Sequence, residues 1–396
     1  METVNIKKEL SNDNVYNQMN KEFISLKSPD EKVINEHLEL ILKKLIPAMK
    51  TQSTLFNKTY QKLAYTGSYF KKTRVGAPEE FDLNLIINLP LKEKDFEFKT
   101  DHLGYTKIRI KKGDTNTTFN LDQKAYKEMN TFIDQDSYLN QNKFRNWIEG
   151  ILSNVANSKK SQNGKNNQII LDGISYPIYI KRKSGPAFTL SFTPIKKPID
   201  IDLVPVLAFP IRNPPPGFNA RHSLNSSRSW YAVPKPLYSS KYGNESHRYW
   251  RLSFYELEKD ILDEYYTANR IKSTIRHLKK FRDTQNLKSI ASYYIETLCL
   301  HERNIFVVNS KESFTFLFFT MLQKLRDAFK NKRIDFYWVA GVDLLEKMSD
   351  VQKEQIKCRL DNIIKDIERN IKEDKFVIAK YTLPANEFSK LRSQFK

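Results

Sequence analysis

The chain has 396 residues, enough for two or three domain-sized units, and its 40 % hydrophobic and 12 % aromatic content is sufficient to bury a sizeable core, which excludes disorder as the main state. Lysine and arginine outnumber aspartate and glutamate by 66 to 46, a net charge of +20 that points to a polyanionic partner, nucleic acid ahead of a membrane surface. With two cysteines, Cys299 and Cys358, a disulfide scaffold or a multi-cysteine zinc module is excluded, and a reducing compartment is expected.

The first 27 residues are polar, lack the apolar centre of a signal peptide, and are expected to form a flexible leader. Ser28-Pro29-Asp30-Glu31 then reads as a helix start, with Ser as N-cap and Pro at the first helical position. Apolar residues at 33, 34, 38, 41, 42, 45 and 46 have one-sided helical spacing. Pro47 is expected to kink this helix without ending it, so that a basic helix runs over 32–62 with Lys43, Lys44, Lys50, Lys58 and Lys62 outward. Strand patterns follow at 81–87, 106–110, 176–180, 188–192 and 199–207, and 157–168 has the composition of a surface loop. Residues 213–246 are rich in Pro, Asn and Ser and read as a linker. From Trp250 onward the pattern turns helical, ending in a helix capped by Ser349 and Gln352. The apolar run 314–322 is about half the length that spans a bilayer, so a cytoplasmic protein with no membrane partner is expected. The expected division is a leader (1–27), a spine helix and mixed α/β core (28–212), and a helical lobe (213–396).

One constellation carries chemistry. Thr66-Gly67-Ser68 is followed by Glu80-Phe81-Asp82 at the start of an apolar strand, and alternation puts both carboxylates on one face. Like charges so placed repel unless a cation lies between them, the arrangement that suits hard divalent ions. Asp200 and Asp202, again flanked by apolar residues, offer a third acid on a neighbouring strand. Gly67 permits close backbone approach, and the Thr66 and Ser68 hydroxyls can bond phosphate oxygens. The combination is the signature of the polymerase-β-like nucleotidyltransferase superfamily.

Four blocks in order, 66–90, 181–192, 249–262 and 289–298, resemble cyclic GMP–AMP synthase and the animal cGAS-like receptors. The resemblance implies a bilobed α/β nucleotidyltransferase core with a long N-terminal helix and a C-terminal helical lobe. It implies that Glu80, Asp82 and Asp202 hold two Mg²⁺ or Mn²⁺ ions, with Asp202 also taking a proton from the attacking ribose hydroxyl. It further implies that Thr66, Gly67 and Ser68 contact phosphates, Arg251 and Ser253 read a base, Lys279 meets the donor, Ser292 contacts the triphosphate, and Tyr293 stacks on a base. Tyr255 departs from the small hydroxyl residue of the pattern. Vertebrate relatives carry a zinc-ligating insertion; 263–273 contains no Cys or His, so no zinc is expected.

Zinc-free basic relatives resemble insect sensors of double-stranded RNA. The implied function is an innate immune sensor that makes a cyclic GMP–AMP-type messenger from ATP and GTP on binding such RNA and signals to STING. Residues expected to meet RNA are the five lysines above with Arg276 and Lys280, and a ligand-induced dimer is compatible with the pattern. Three alternatives stay open: activation by DNA or another ligand, an oligoadenylate-type polymerising transferase, and a catalytically silent nucleic-acid-binding relative.

Overall fold

The computed structural model describes residues 6–25, 31–76, 80–111, 121–158, 168–174, 176–181, 185–194, 198–219, 225–237, 240–264, 267–307 and 312–395. The helix start expected at Ser28–Asp30 and most of the 157–168 loop lie outside these residues. The chain divides into two compact units, one of Ser28–Phe70 and Pro78–Leu257, the other of Met1–Lys27, Lys71–Ala77 and Glu258–Lys396.

Among the described residues the first unit is built on a ten-stranded sheet: β1 (Tyr60–Tyr65), β2 (Glu80–Ile87), β3 (Phe96–Lys99), β4 (Tyr105–Ile110), β5 (Gln168–Ile169), β6 (Ile178–Lys181), β7 (Phe188–Phe192), β8 (Ile199–Pro210), β9 (Ser229–Val233) and β10 (Tyr249–Ser253). The main order is β3-β4-β10-β9-β8-β7-β6-β5, with β2 joined to β8 and β1 to β2. The twelve-residue β8 organises the sheet. β2 runs parallel along it from Asp200 to Leu207, while β7 pairs with 199–203 and β9 with 207–210, both antiparallel. Ile199, Ile201 and Leu203 on β8 and Phe81 and Leu83 on β2 are buried, and the residues alternating with them are carboxylates. The core face therefore fixes which face the acids take.

Beside the sheet lies the helix Glu31–Gln52, which carries Pro47 within it and buries Ile34, Leu38, Ile41, Leu42, Leu45, Ile46 and Met49. It ends earlier than the expected 32–62. Ser53 takes extended backbone and accepts from the Phe56 amide, capping a separate short helix, Thr54–Thr59, after which β1 begins. Lys58 thus stands on the short helix and Lys62 on a strand. A second correction concerns 229–253, expected to be linker and the opening of a helical lobe. Trp230, Tyr231, Tyr249 and Trp250 are buried in strands β9 and β10, joined through a 3-10 segment at Ser240–Arg248, and α-helix begins only at Tyr255. Aromatic and β-branched residues buried on both faces favour a central strand over a linker.

The second unit is helical: Ala268–Thr284, Ser292–His301, Phe314–Lys330, Asp350–Asn370, Val377–Thr382 and Ala385–Ser393. The Ser349–Gln352 capping box forms as expected and starts the Asp350–Asn370 helix, although two short helices follow it. Residues 6–24, expected to be a loose leader, carry short helices at Ile6–Glu9, Asn14–Met19 and Asn20–Ile24 and are packed here. Asp13 accepts from the Phe314 and Thr315 amides at 2.9 and 2.8 Å, satisfying the first turn of that helix, and the buried Tyr16 hydroxyl meets Ser273 Oγ at 3.0 Å. No described helix is long and apolar enough to cross a membrane.

The Tyr16 ring stacks on that of His277 at 3.7 Å between centroids, and His277 Nδ1 donates to the Ser273 carbonyl at 2.9 Å. Burial pulls the His277 pKa down from 6.5 to about 3. A folded-state pKa below the unfolded one means that the unfolded chain takes up the extra proton first, so stability falls as pH drops through 6.5. Linkage over that interval amounts to about 2 kcal/mol by pH 5. Denaturant titrations at about pH 8 and pH 5 should therefore show the wild type losing about this much more than His277→Phe. Equal losses would contradict a buried neutral imidazole.

Candidate active site

The parallel register of β2 and β8 sets Glu80 opposite Asp200 and Asp82 opposite Asp202. One carboxylate oxygen each from Glu80, Asp82 and Asp202 lies within 4.8 Å of the other two, and all three side chains are half-buried. Asp200 is drawn aside: Lys181 on β6 reaches its two oxygens at 2.7 and 3.0 Å. Asp202 accepts from the Thr189 hydroxyl on β7, the residue directly across the ladder. Three hard oxygen donors packed this closely in a half-buried setting fit a divalent cation, whose charge would relieve their mutual repulsion. The donor set contains no sulfur or imidazole.

The loop that faces these acids is held by backbone. Thr66 donates both its amide, at 2.9 Å, and its hydroxyl, at 3.1 Å, to the Asp82 carbonyl. Its hydroxyl hydrogen, expected to be offered to phosphate, is thus directed at β2. Gly67 follows with φ +70°, and a Cβ built there would collide with the Asp82 carboxylate, 2.7 Å from its Cγ. Glycine is required twice over, by conformation and by space. Ser68 is half-buried in the short helix Gly67–Phe70. Tyr69 ties this helix to Glu31–Gln52, donating to Glu31 Oε1 at 2.8 Å and accepting from Asn35 Nδ2 at 2.8 Å, with its ring edge-on to Phe81 at 5.1 Å.

On β10, Arg251 sits between Tyr105 and Val233 of the flanking strands, and Ser253 opposite Tyr231; both are half-buried. Tyr255 is buried against Tyr231, 4.7 Å between ring centroids, in a core with Ala64, Ile86 and Val206, so its bulk serves packing. The exposed Lys43 and Lys44 point away from the buried stripe of the Glu31–Gln52 helix. Lys50 lies over the Tyr60 ring at 5.1 Å, Lys58 pairs with Asp122 at 2.9 Å, and Lys62 with Glu256 at 3.4 Å.

Within the helical unit, Ser292 opens the Ser292–His301 helix and its Oγ accepts from Arg282 at 2.8 Å, while the Tyr293 hydroxyl donates to Glu258 at 2.7 Å. Two cations expected to meet RNA, Arg276 and Lys280, and one expected to meet the donor, Lys279, are engaged within the protein. Lys279 is buried and bonded to Glu296 at 2.6 Å, Arg276 donates to the Lys72 carbonyl at 2.7 Å, and Lys280 pairs with Glu387 at 2.7 Å. A basic residue in a sequence carries no mark of the distant acceptor that will claim it. Sequence reasoning passed over Thr189, one ladder away from Asp202 on β7, and Lys181, its neighbour one strand further out on β6. It also passed over the acids Glu258 and Glu296, which stand in apolar helical text.

Residues 69–264 match the model of the Mab-21 protein nucleotidyltransferase domain, and 270–362 that of the Mab-21 protein HhH/H2TH-like domain. Three relatives are each named cyclic GMP–AMP synthase-like receptor. That of Trichogramma pretiosum is 36 % identical over 389 residues, covering 96 % of this chain and 78 % of the relative. That of Microplitis demolitor is 33 % identical over 387 residues, covering 98 % and 70 %, and that of Aethina tumida 34 % over 380 residues, covering 95 % and 92 %.

A methyl at position 67 must push the Asp82 carboxylate aside, and an ångström-scale misplacement at a reacting centre costs about 100-fold in rate. Gly67→Ala should lose nucleotidyl transfer to about that degree while its far-ultraviolet circular dichroism stays that of the wild type. A Gly67→Ala protein transferring at the wild-type rate would contradict the loop placement.

Proposed function

The chain belongs to the cyclic GMP–AMP synthase-like receptor family of nucleotidyltransferases, and on that premise we propose that it is an innate immune sensor which, on binding double-stranded RNA, joins ATP and GTP into a cyclic dinucleotide that signals to STING in the cytoplasm. The observation that carries the catalytic part is the in-register trio of Glu80, Asp82 and Asp202 facing a glycine that nothing larger can replace. Glu80, Asp82 and Asp202 would hold two divalent ions, Mg²⁺ or Mn²⁺, which when bound would supply charge neutralisation for a leaving pyrophosphate and lower the pKa of an acceptor hydroxyl. Asp202 is oriented by Thr189 and takes the proton of that ribose hydroxyl. Gly67 and Ser68 bring backbone close to the donor phosphates. Arg251 and Ser253 present polar groups to a base edge, and Tyr293 an aromatic face for stacking.

The activator reading rests on charge and on one internal connection. A-form duplexes are read through phosphates and ribose hydroxyls, which suits solvated lysines. Lys43 and Lys44 lie on the same helix whose Glu31 and Asn35 hold Tyr69, the neighbour of Ser68. A duplex seated on that helix bears on the phosphate loop through Tyr69.

Incubating the chain with all four nucleoside triphosphates and Mg²⁺ or Mn²⁺, with no duplex, long double-stranded RNA or matched DNA, tests both parts by mass spectrometry of the products. A phosphatase-resistant cyclic dinucleotide made only with RNA, and absent in Asp82→Ala while that variant still binds the duplex, is the expected result. Linear oligomers, activation by DNA, or silence under every condition would overturn it. Lys43→Glu/Lys44→Glu should weaken duplex binding by about tenfold or more and flatten its salt dependence, since the slope falls by about one for every phosphate that a lysine no longer neutralises.

A further inference from the structure

Outside the acid trio, the most densely charged buried cluster among the described residues lies wholly within the helical unit. Lys71, Glu258, Lys279 and Glu296 retain 11 %, 6 %, 4 % and 8 % of their side-chain exposure. Lys71 Nζ reaches Glu258 at 2.9 Å and Glu296 at 3.2 Å, and Lys279 Nζ reaches Glu296 at 2.6 Å. Thr73, fully buried, donates its hydroxyl to Glu296 at 3.1 Å and accepts at its carbonyl from Lys279 at 3.2 Å. Between them Lys72 takes φ +58°, a left-handed conformation unfavourable to a lysine, and its carbonyl is the acceptor of Arg276. Three consecutive residues are thus each pinned through a different group.

Two positive and two negative charges balance, as burial requires. Burial alone would raise the Glu296 carboxyl, but the ammonium groups of Lys71 and Lys279 outweigh it and pull the carboxyl down to about 2. Residues 71–73 follow directly on Thr66–Phe70, the phosphate loop of the proposed transferase. That stretch is short, so where Lys71 is held limits where Gly67 and Ser68 can be.

We propose that Glu296 is a positioning residue: through Lys71 and Thr73 it anchors the chain where it leaves the phosphate loop, and so sets the loop's catalytic placement. The proposal rests on the transferase reading for its catalytic half, whereas the anchor is measurable without turnover. Glu296 acts through other residues and does not touch substrate. Lys279 is occupied by the anchor itself, which accounts for its burial.

The test uses the full chain and two variants, Glu296→Gln and the milder Lys71→Met, which removes one ammonium while leaving Glu296 paired to Lys279. Hydrogen exchange is followed in a peptide over 64–76 and in one over 350–370, and RNA-activated turnover is split into kcat and KM. Both variants should raise exchange over 64–76 at least tenfold, leave 350–370 unchanged, and lower kcat at least tenfold with KM for either nucleotide moving less than threefold. Glu296→Asp, which keeps the charge on a shorter arm, should recover part of the loss. Unchanged exchange over 64–76 in both variants, equal acceleration in both peptides, or faster exchange with wild-type kcat would overturn the proposal. A wild-type chain that makes no product marks failure of the transferase reading, removes the catalytic half of the proposal, and leaves the exchange result to decide the anchor.

Discussion

The structure depends on a crowding of like charge. The parallel pairing of β2 with β8 places Asp82 beside Asp202 and Glu80 beside Asp200, and the apolar residues alternating with them bury the opposite face of the sheet. A one-residue slip would turn the acids into the core and the leucines out, so the hydrophobic register and the electrostatic centre are one constraint. Carboxylates brought this close in a half-buried place oppose folding unless something positive shares the space. Asp200 has Lys181. The remaining three carboxylates fit a divalent cation.

The elements around the trio serve to keep it in place. β8 is long enough for β2 to line one edge while β7 and β9 share the other, so Asp202 has a strand on each side and a threonine hydroxyl from β7. Gly67 closes against Asp82 because no side chain stands in the way, and Thr66 stitches its own amide and hydroxyl to the carbonyl of that same aspartate. Tyr69 carries the loop's position to the basic helix, and residues 71–73 are fixed by buried ion pairs within the helical unit. Thr66, Gly67 and Tyr69 thus fix the turn after β1 through contacts within the sheet unit itself.

The acid strands were legible in the sequence because a carboxylate between apolar residues is costly and so conspicuous, and because period-two alternation states the face. Strands β9 and β10 were not, since Trp230, Tyr231, Tyr249 and Trp250 are buried without alternation and lie near Pro-rich text. The early end of the Glu31–Gln52 helix was hidden because 53–62 is composed of helix-compatible residues; only the Ser53 cap and the pairing of β1 with β2 decide it. The leader escaped notice because its scattered apolar residues, Leu10, Val15, Tyr16, Met19 and Ile24 among them, show no long periodic run, and Tyr16 finds its partner far along the chain in His277. The same distance explains Arg276, Lys279 and Lys280, whose charge was visible but whose acceptors at Lys72, Glu296 and Glu387 were not.

The central claim, that strand register builds a divalent-cation centre from Glu80, Asp82 and Asp202, is tested most directly by anomalous scattering from crystals grown with Mn²⁺ and a non-hydrolysable nucleoside triphosphate. The account predicts manganese peaks among these three carboxylates, absent in Asp82→Ala crystals grown in the same way. Manganese bound only elsewhere, or a trio that stays empty beside bound nucleotide, would contradict it.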